Sequence, residues 1–363
     1  MGQTAIEKLA RRVWEGDRAA LSKAITLVES ENPDHYHQAD ALQAILTARG
    51  LRPGVRIGIT GATGAGKSTY INTLGTLLIG RGHKVAVLAV DPTSSLAGGS
   101  ILGDKTRMPE LTRCGESYIR PSPSGRNTDG ISDRTDEAAL LCEQAGYDTV
   151  IIETTGTGQT NVLVAGITDI FLLLVTPHGG DELQGIKRGV MELADFVLIT
   201  KCDGELATTA KQTRVEYASA LKLLRHRPSD QGSVPDAITV SSMSADSVAS
   251  SWQSIEKLIV WRRDRGTLLD RRRRNAEKRL ENEIQIQLWN RIRTSTTLAA
   301  RLQELAGDVA ALTTSPAAAA SELLDSLGLS RNEDARARRT SGHGNPSLCK
   351  ASMGSATGFK SKP

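Results

Sequence analysis

From residue 55 onward, short and almost wholly apolar runs alternate with longer stretches of helical periodicity. The runs are VRIGIT (55–60), KVAVLAVD (84–91), TVIIE (149–153), IFLLLVT (170–176), FVLIT (196–200) and AITVS (237–241). They are rich in β-branched residues and short enough to be strands. A strand that is apolar on both faces belongs to a parallel sheet covered by helices on both sides. The expected fold is therefore α/β: a mostly parallel sheet flanked by helices.

Both ends of the chain carry helical patterns. Thr4-x-x-Glu7 reads as a capping box. Asp17 reads as the cap of a second helix, in which Leu21, Ile25 and Val28 share a face. Pro33 breaks that helix, and a third runs to about Arg49-Gly50. After residue 250, Leu280, Ile284, Leu288 and Ile292 form one stripe, and Leu298, Leu302, Leu305, Val309 and Leu312 form another, nearly heptad. Ser315-Pro316 reads as a cap and first residue of a last helix that Gly328 ends. The expected organisation is an N-terminal helical extension (1–50), a nucleotide-binding domain (51–260), a C-terminal helical arm (261–329) and a tail (330–363).

Composition changes this picture little. Hydrophobic content of 39% and charged content of 24% suit a packed core, and 3% aromatics weakens any reading built on base stacking. Of the net charge of +4, the tail carries seven Lys/Arg against Glu333 and Asp334, so the rest of the chain is close to neutral. The tail's Ser, Gly, Arg and Lys without periodicity read as disorder. Arg271–Arg274 reads as a solvated helix face, the usual place for such a run, so nucleic acid is not an expected partner. The four cysteines are scattered without a CxxC, which fits a reducing compartment rather than a disulfide framework or zinc site. No apolar run approaches the length of a membrane span. Arg11-Arg12 is followed by WEGDRAA instead of an apolar stretch, and the expected location is the cytoplasm.

The first strand opens into GATGAGKST (61–69) and then a helix. This is G-x-x-x-x-G-K-[ST] in the setting that gives the motif meaning. Gly61, Gly64 and Gly66, with Ala62, Thr63 and Ala65 between them, allow backbone N–H groups to curl around phosphate oxygens. The helix that Thr69 continues adds its positive dipole end. Lys67 is expected to reach the β/γ-phosphates, and Ser68 to offer a hydroxyl to Mg²⁺. Ligands of a parallel sheet sit beyond the carboxyl ends of its strands. Asp91 and Glu153 lie there, with Asp104 in the following loop region, as candidates to organise metal and water. Gly156 in ETTG (153–156) would bring a backbone N–H near the γ-phosphate.

FVLIT ends in Thr200-Lys201-Cys202-Asp203, where GTPases usually carry Asn-Lys-x-Asp. The carboxylate of Asp203 suits guanine N1–H and N2–H₂, and adenine lacks that donor pair. Lys201 would lay its stem along the base. Thr200 replaces the usual Asn with a hydroxyl that can make one of the amide's two contacts. Ser241-Ser242-Met243 stands where GTPases set a backbone N–H against guanine O6. One stretch, PHGGDELQGIKRG (177–189), is unusually rich in both glycine and charge for the end of a buried strand. Its four glycines permit reorganisation, and Asp181 and Glu182 against Lys187 and Arg188 give two charge sets able to exchange partners. The plainer alternative is a glycine-hinged helix start.

Together GDRAALSKAITLVES (16–30), GITGATGAGKST (58–69), DPTSSLAGGSILGDKTRM (91–108), IRPSPS (119–124), ETTGTGQT (153–160) and GDELQGIKRG (180–189) resemble the MeaB/ArgK group of P-loop GTPases. The resemblance covers roughly residues 5–329. It implies a GTP/GDP- and Mg²⁺-binding hydrolase that chaperones an adenosylcobalamin-dependent acyl-CoA mutase of the methylmalonyl-CoA type. It also implies a homodimer formed through the C-terminal arm, and a third switch containing Asp181, Glu182, Gln184, Lys187 and Arg188. The alternatives are a metal-delivery GTPase, which would want a His-rich or CxxC metal site, and an ATP-dependent kinase or energiser of basic amino acid transport, which Asp203 opposes.

Overall fold

The computed structural model describes residues 3–30, 32–52, 54–91, 107–123, 131–154, 158–177, 188–223 and 236–329. Among the described residues, seven strands make one sheet, every pairing parallel: β1 (Val55–Gly61), β2 (Val85–Asp91), β3 (Ser117–Pro123), β4 (Thr149–Thr154), β5 (Ile170–Val175), β6 (Phe196–Ile199) and β7 (Asp236–Thr239). Their order is β3-β2-β4-β1-β5-β6-β7, which puts β1 at the centre. The α/β parallel sheet expected from the apolar runs is borne out. Successive residues of each run serve opposite faces, as pleating requires. Phe171 and Leu173 join one core layer, while Ile170, Leu172 and Leu174 join the other.

The six runs predicted six of these strands; β3 was not among them. Its sequence, SYIRPSP, holds two prolines, each lacking the N–H that an interior strand needs. β3 tolerates them because it lies at the sheet edge, paired with β2 alone.

The N-terminal helices α1 (Gln3–Trp14), α2 (Arg18–Val28) and α3 (Pro33–Ala48) pack into the first core layer. α1 buries Ile6, Leu9, Ala10 and Val13 at helical spacing. The helix already includes Thr4, so the expected capping box does not form. Asp17 does cap α2, accepting from the N–H groups of Ala19 and Ala20. Ser22 on α2 and Glu29, its C-cap, reach the edge strand: the Ser22 and Tyr118 hydroxyls bond at 3.1 Å, and Arg120 donates to Glu29 at 2.5 Å. The second layer is made by α4 (Lys67–Gly80) and α10 (Ala245–Asp264), with Met108 and Leu111 of the segment containing α5 (Pro109–Arg113). Between these come α6 (Ile131–Gln144), α7 (Gly158–Ile167), α8 (Arg188–Leu193) and α9 (Ala207–Leu223).

The amino ends of the strands are tied by a charge network. Asp169, just before β5, accepts from the N–H of Arg56 in β1, and Asp195, just before β6, accepts from the N–H of Phe171 in β5. Arginines complete the pairing. Arg56 bridges Asp136 and Glu143 of α6, and Arg262 of α10 bonds Asp195 at 2.7 Å and the Asp169 carbonyl at 2.6 Å. From α11 (Thr267–Thr294), Arg272 reaches both Asp169 oxygens, Glu143 and the Gly54 carbonyl, and Arg271 reaches the carbonyl of Ala165 at 2.8 Å. This corrects the reading of Arg271–Arg274 as a solvated face. Arg273 and Arg274 are exposed, but Arg271 and Arg272 are half-buried partners of carboxylates and carbonyls.

The chain divides into two compact units, Met1–Arg279 and Leu280–Pro363. In the second, α12 (Thr296–Ala310) and α13 (Pro316–Ser326) join the end of α11 around Ile292, Leu305, Ala319 and Leu323. Ser315 caps α13 with Pro316 at its first position, and Gly328 follows at φ 76°, as the sequence suggested. Leu312 departs from its stripe, at 91% exposure and in a left-handed turn. The tail, 330–363, lies outside the described residues.

Removing one partner of a buried ion pair leaves the other uncompensated. Arg272→Ala should therefore lower unfolding free energy by about 1–3 kcal/mol, the lower end reflecting its partial exposure. Arg274→Ala should stay within about 0.5 kcal/mol. Urea denaturation of both variants measures the difference.

Candidate functional site

β1 ends at Gly61, whose φ of 149° is open to glycine and strained for other residues. A Cβ there would stand 2.2 Å from the Leu174 carbonyl oxygen of β5, so a side chain would push the two strands apart. The chain then turns through Ala62, Thr63 and Gly64, all exposed, to the buried Ala65. Gly66, at φ 84°, caps α4 without using a side chain. This turn leaves the free N–H groups of the first helical turn facing the carboxyl end of the sheet.

Lys67, the first residue of α4, is only 8% exposed. Its Nζ donates to the carbonyls of Gly61 at 2.8 Å and Ala62 at 3.0 Å, folding the side chain back along the loop. Burial holds its pKa below the ordinary lysine range; the Glu153 carboxylate opposes that shift, and the positive charge of Arg107 adds to it. The Ser68 hydroxyl donates to Glu153 Oε1 at 3.1 Å. Glu153 sits near the end of β4, in register with Ile59 of β1 and Ala89 of β2. Lysine, serine and carboxylate thus converge beside the central strand.

Beneath the loop lies a neutral network that sequence reasoning missed. Thr60 donates to Asn161 Oδ1 at 2.6 Å, and the Thr154 hydroxyl lies 2.9 Å from both Thr60 Oγ1 and Asn161 Oδ1. All three residues are buried. The available signal was an Asn within the otherwise apolar NVLVAGI of α7, which needs a partner if it faces the core.

Two further loops meet the phosphate loop from the β6–β7 side. Thr200, fully buried, donates to the Ala65 carbonyl at 2.8 Å, with the Val175 carbonyl at 3.1 Å as a second acceptor. Lys201 follows in a left-handed conformation, φ 53°. Asp203 precedes a single 3₁₀ turn but does not cap it with its side chain. After β7, the N–H of Ser241 donates to Ser247 Oγ at 2.9 Å, the Ser242 carbonyl accepts from Thr73 of α4 at 2.7 Å, and Met243 is exposed.

Among the sequence candidates, hydrogen bonds join Lys67 to Gly61 and Ala62, Ser68 to Glu153, and the Ser242 carbonyl to α4, while Lys201 and Asp203 follow Thr200, which bonds Ala65. Asp91 ends β2 and Arg188 opens α8. Asp104, Gly156, Asp181, Glu182, Gln184 and Lys187 lie outside the described residues.

A glycine loop between the central strand and a helix, on a parallel sheet with this order, defines the P-loop nucleotide-hydrolase class. Residues 21–297 match the family described as "Methylmalonyl Co-A mutase-associated GTPase MeaB", and the chain belongs to that family of GTPases. It is 40% identical over 331 residues to the mouse "Methylmalonic aciduria type A homolog, mitochondrial", covering 89% of this chain and 79% of that protein. It is 44% identical over 256 residues to "GTPase ArgK" of Escherichia coli, covering 70% and 76%. A solved structure titled "Crystal structure of LAO/AO transport system kinase" superposes with a TM-score of 0.70 at 32% identity, over 90% of this chain and 99% of that one. Among the described residues, no helix is long and apolar enough to cross a membrane.

Asn161→Ala would leave the Thr60 and Thr154 hydroxyls without their shared acceptor. Each unsatisfied buried group costs about 1–3 kcal/mol. The variant should lose at least about 1 kcal/mol by chemical denaturation, while Val162→Ala, at an exposed position of the same helix, stays within about 0.5 kcal/mol.

Proposed function

We propose that GTP binding and hydrolysis by this chain gate the loading of adenosylcobalamin into a B12-dependent acyl-CoA mutase of the methylmalonyl-CoA type, and protect the loaded enzyme. The observation that carries the reading is the convergence of Lys67, Ser68 and Glu153 at the end of the central strand, in a chain whose family is described by its association with that mutase. The same description favours a mutase client over metal delivery or amino acid transport.

Each residue has a role in this reading. The loop N–H groups of 61–66 and the ammonium of Lys67 hold the phosphates. To reach them, Lys67 exchanges the Gly61 and Ala62 carbonyls for phosphate oxygens, which are stronger acceptors because they are charged. The Ser68 hydroxyl and Glu153 carboxylate, 3.1 Å apart, form a hard-oxygen donor set that suits Mg²⁺. Bound there, the ion would offset charge on the β/γ-phosphates. Asp91 and Asp104 complete the acidic set around metal and water. Asp203 accepts from guanine, and Lys201 packs along the base. The stretch from Asp181 to Arg188, with Gln184 and Lys187, carries the signal to the client.

A second copy of this chain is the other proposed partner. Leu280 and Ile284 share one stripe of α11 and are 63% and 57% exposed, which leaves an apolar face for a dimer to cover. The working location is the cytoplasm, although the mouse relative is named mitochondrial.

GTP turnover with and without a purified B12-dependent mutase tests the reading. Basal hydrolysis should be slow and rise when the mutase is added. Lys67→Ala should abolish both rates. Lys187→Ala should keep nucleotide affinity and basal turnover but lose the stimulation. An unchanged rate with the mutase, or full stimulation of Lys187→Ala, would count against the proposed signalling.

A further inference from the structure

The base side of the site contains one buried hydroxyl without a partner. Thr200 occupies the place where GTPases usually carry an Asn whose amide can serve the protein and the base together. The Thr200 hydroxyl has a single proton, and two backbone carbonyls already face it, Ala65 O at 2.8 Å and Val175 O at 3.1 Å. It ties β6 to β5 and to the phosphate loop, and it has no proton left to donate to a base.

On the neighbouring loop, Ser242 is 7% exposed, and its Oγ has no hydrogen-bond partner among the described residues. Its backbone is firmly placed. The carbonyl accepts from Thr73 Oγ1, the preceding N–H bonds Ser247 Oγ, and the Ser241 carbonyl accepts from Ser244. The hydroxyl faces the phosphate loop, 3.8 Å from where a Cβ would stand on Gly66. Thr200 and Ser242 therefore address consecutive loop residues, Ala65 and Gly66, from adjacent strands. One has its proton engaged, and the other has a proton and no acceptor. A buried hydroxyl without a partner is costly, and such groups commonly mark a place where a ligand completes the bond.

We infer that Ser242 is a specificity-determining residue of the nucleotide site, whose side-chain hydroxyl donates to O6 of bound guanine, on the edge that Thr200 cannot serve. This assigns the side chain a role beyond that of the loop's backbone N–H. It rests on guanine being the base that Lys201 and Asp203 receive. Guanine presents an acceptor, O6, where adenine presents the N6–H₂ donor, while N7 is an acceptor in both bases, so the contact to O6 favours guanine.

The test uses the full chain with Ser242→Ala. Affinity is measured for GDP, for 7-deaza-GDP (no N7), for the 2-aminopurine ribonucleoside diphosphate (no 6-oxo group) and for ADP. Ser242→Ala should weaken GDP by about 5- to 10-fold, the worth of one hydrogen bond. With the 2-aminopurine nucleotide, variant and wild type should bind alike, whereas 7-deaza-GDP should lose as much as GDP, which identifies O6 as the acceptor. The melting temperature of ligand-free Ser242→Ala should equal or exceed that of wild type, because the lost hydroxyl had no partner. Ser242→Cys, a weak donor of similar size, should fall between Ser and Ala. Unchanged GDP affinity in Ser242→Ala, or an equal loss for GDP and the 2-aminopurine nucleotide, overturns the inference while wild type still prefers GDP to ADP. Equal wild-type affinity for GDP and ADP overturns the guanine reading itself, and the inference with it.

Discussion

A buried ammonium group sets the terms for the rest of this molecule. Lys67 is almost out of solvent at the head of α4, and a lysine there loses its hydration. Its charge survives because the loop curls tightly enough to aim the carbonyls of Gly61 and Ala62 at Nζ, and because Glu153 lies near enough for its field to act. That curl needs Gly61 pressed against the Leu174 carbonyl, where a side chain has no room. The close approach in turn needs β1 and β5 held in fixed register. The phosphate loop is thus a product of sheet packing, and its geometry cannot be separated from the strands on either side of β1.

The two ends of the sheet solve different problems with different chemistry. At the amino ends, where Asp169 and Asp195 take strand N–H groups, the carboxylates are fixed in place, and arginines from α10 and α11 pair with them. Such pairs define positions well even where their net contribution to stability is small. At the carboxyl ends the connections beneath the loop are neutral: Thr60, Thr154 and Asn161 on one side, Thr200 on the other. A neutral network beneath the site leaves the electrostatic balance there to Lys67, Glu153 and the incoming nucleotide. A buried charge in its place would add a second field at Lys67, an anion raising its pKa as Glu153 does and a cation lowering it as Arg107 does.

What the sequence made legible follows from the range of each interaction. The strands read plainly because burial on both faces writes itself into every residue of the run. The phosphate loop read plainly because its glycines, lysine and hydroxyl are contiguous. β3 was hidden because edge placement, a tertiary fact, is what makes Pro121 and Pro123 acceptable. Thr4-x-x-Glu7 misled because helix α1 starts before it, and a local pattern does not fix where a helix begins. Arg271 and Arg272 misled because their partners, the Ala165 carbonyl and the Asp169 carboxylate, lie about a hundred residues away, and nothing in RRRR distinguishes the first pair from the second. Asn161 in its apolar helix signals the need for a partner, but the partners, Thr60 and Thr154, are not legible for the same reason. The candidate site was legible wherever its residues are neighbours in sequence, and obscure wherever distant strands bring them together.

These ranges meet in α7. This ten-residue helix follows the ETTG segment, and both of its ends are pinned. Near its start, Asn161 is bonded to the strand that enters the phosphate loop and to the strand that carries Glu153. Near its end, the Ala165 carbonyl is bonded by Arg271, and Asp169 just beyond is held by Arg272 and by the β1 backbone. A displacement of α7 along its axis would break hydrogen bonds at the neutral end and ion pairs at the charged end together. Rotation about the axis would carry Asn161 away from Thr60 and return it to the apolar core without an acceptor. The helix therefore holds the Glu153 strand in place against the central strand. The convergence of Lys67, Ser68 and Glu153 is the local result of contacts that reach the opposite ends of the strands.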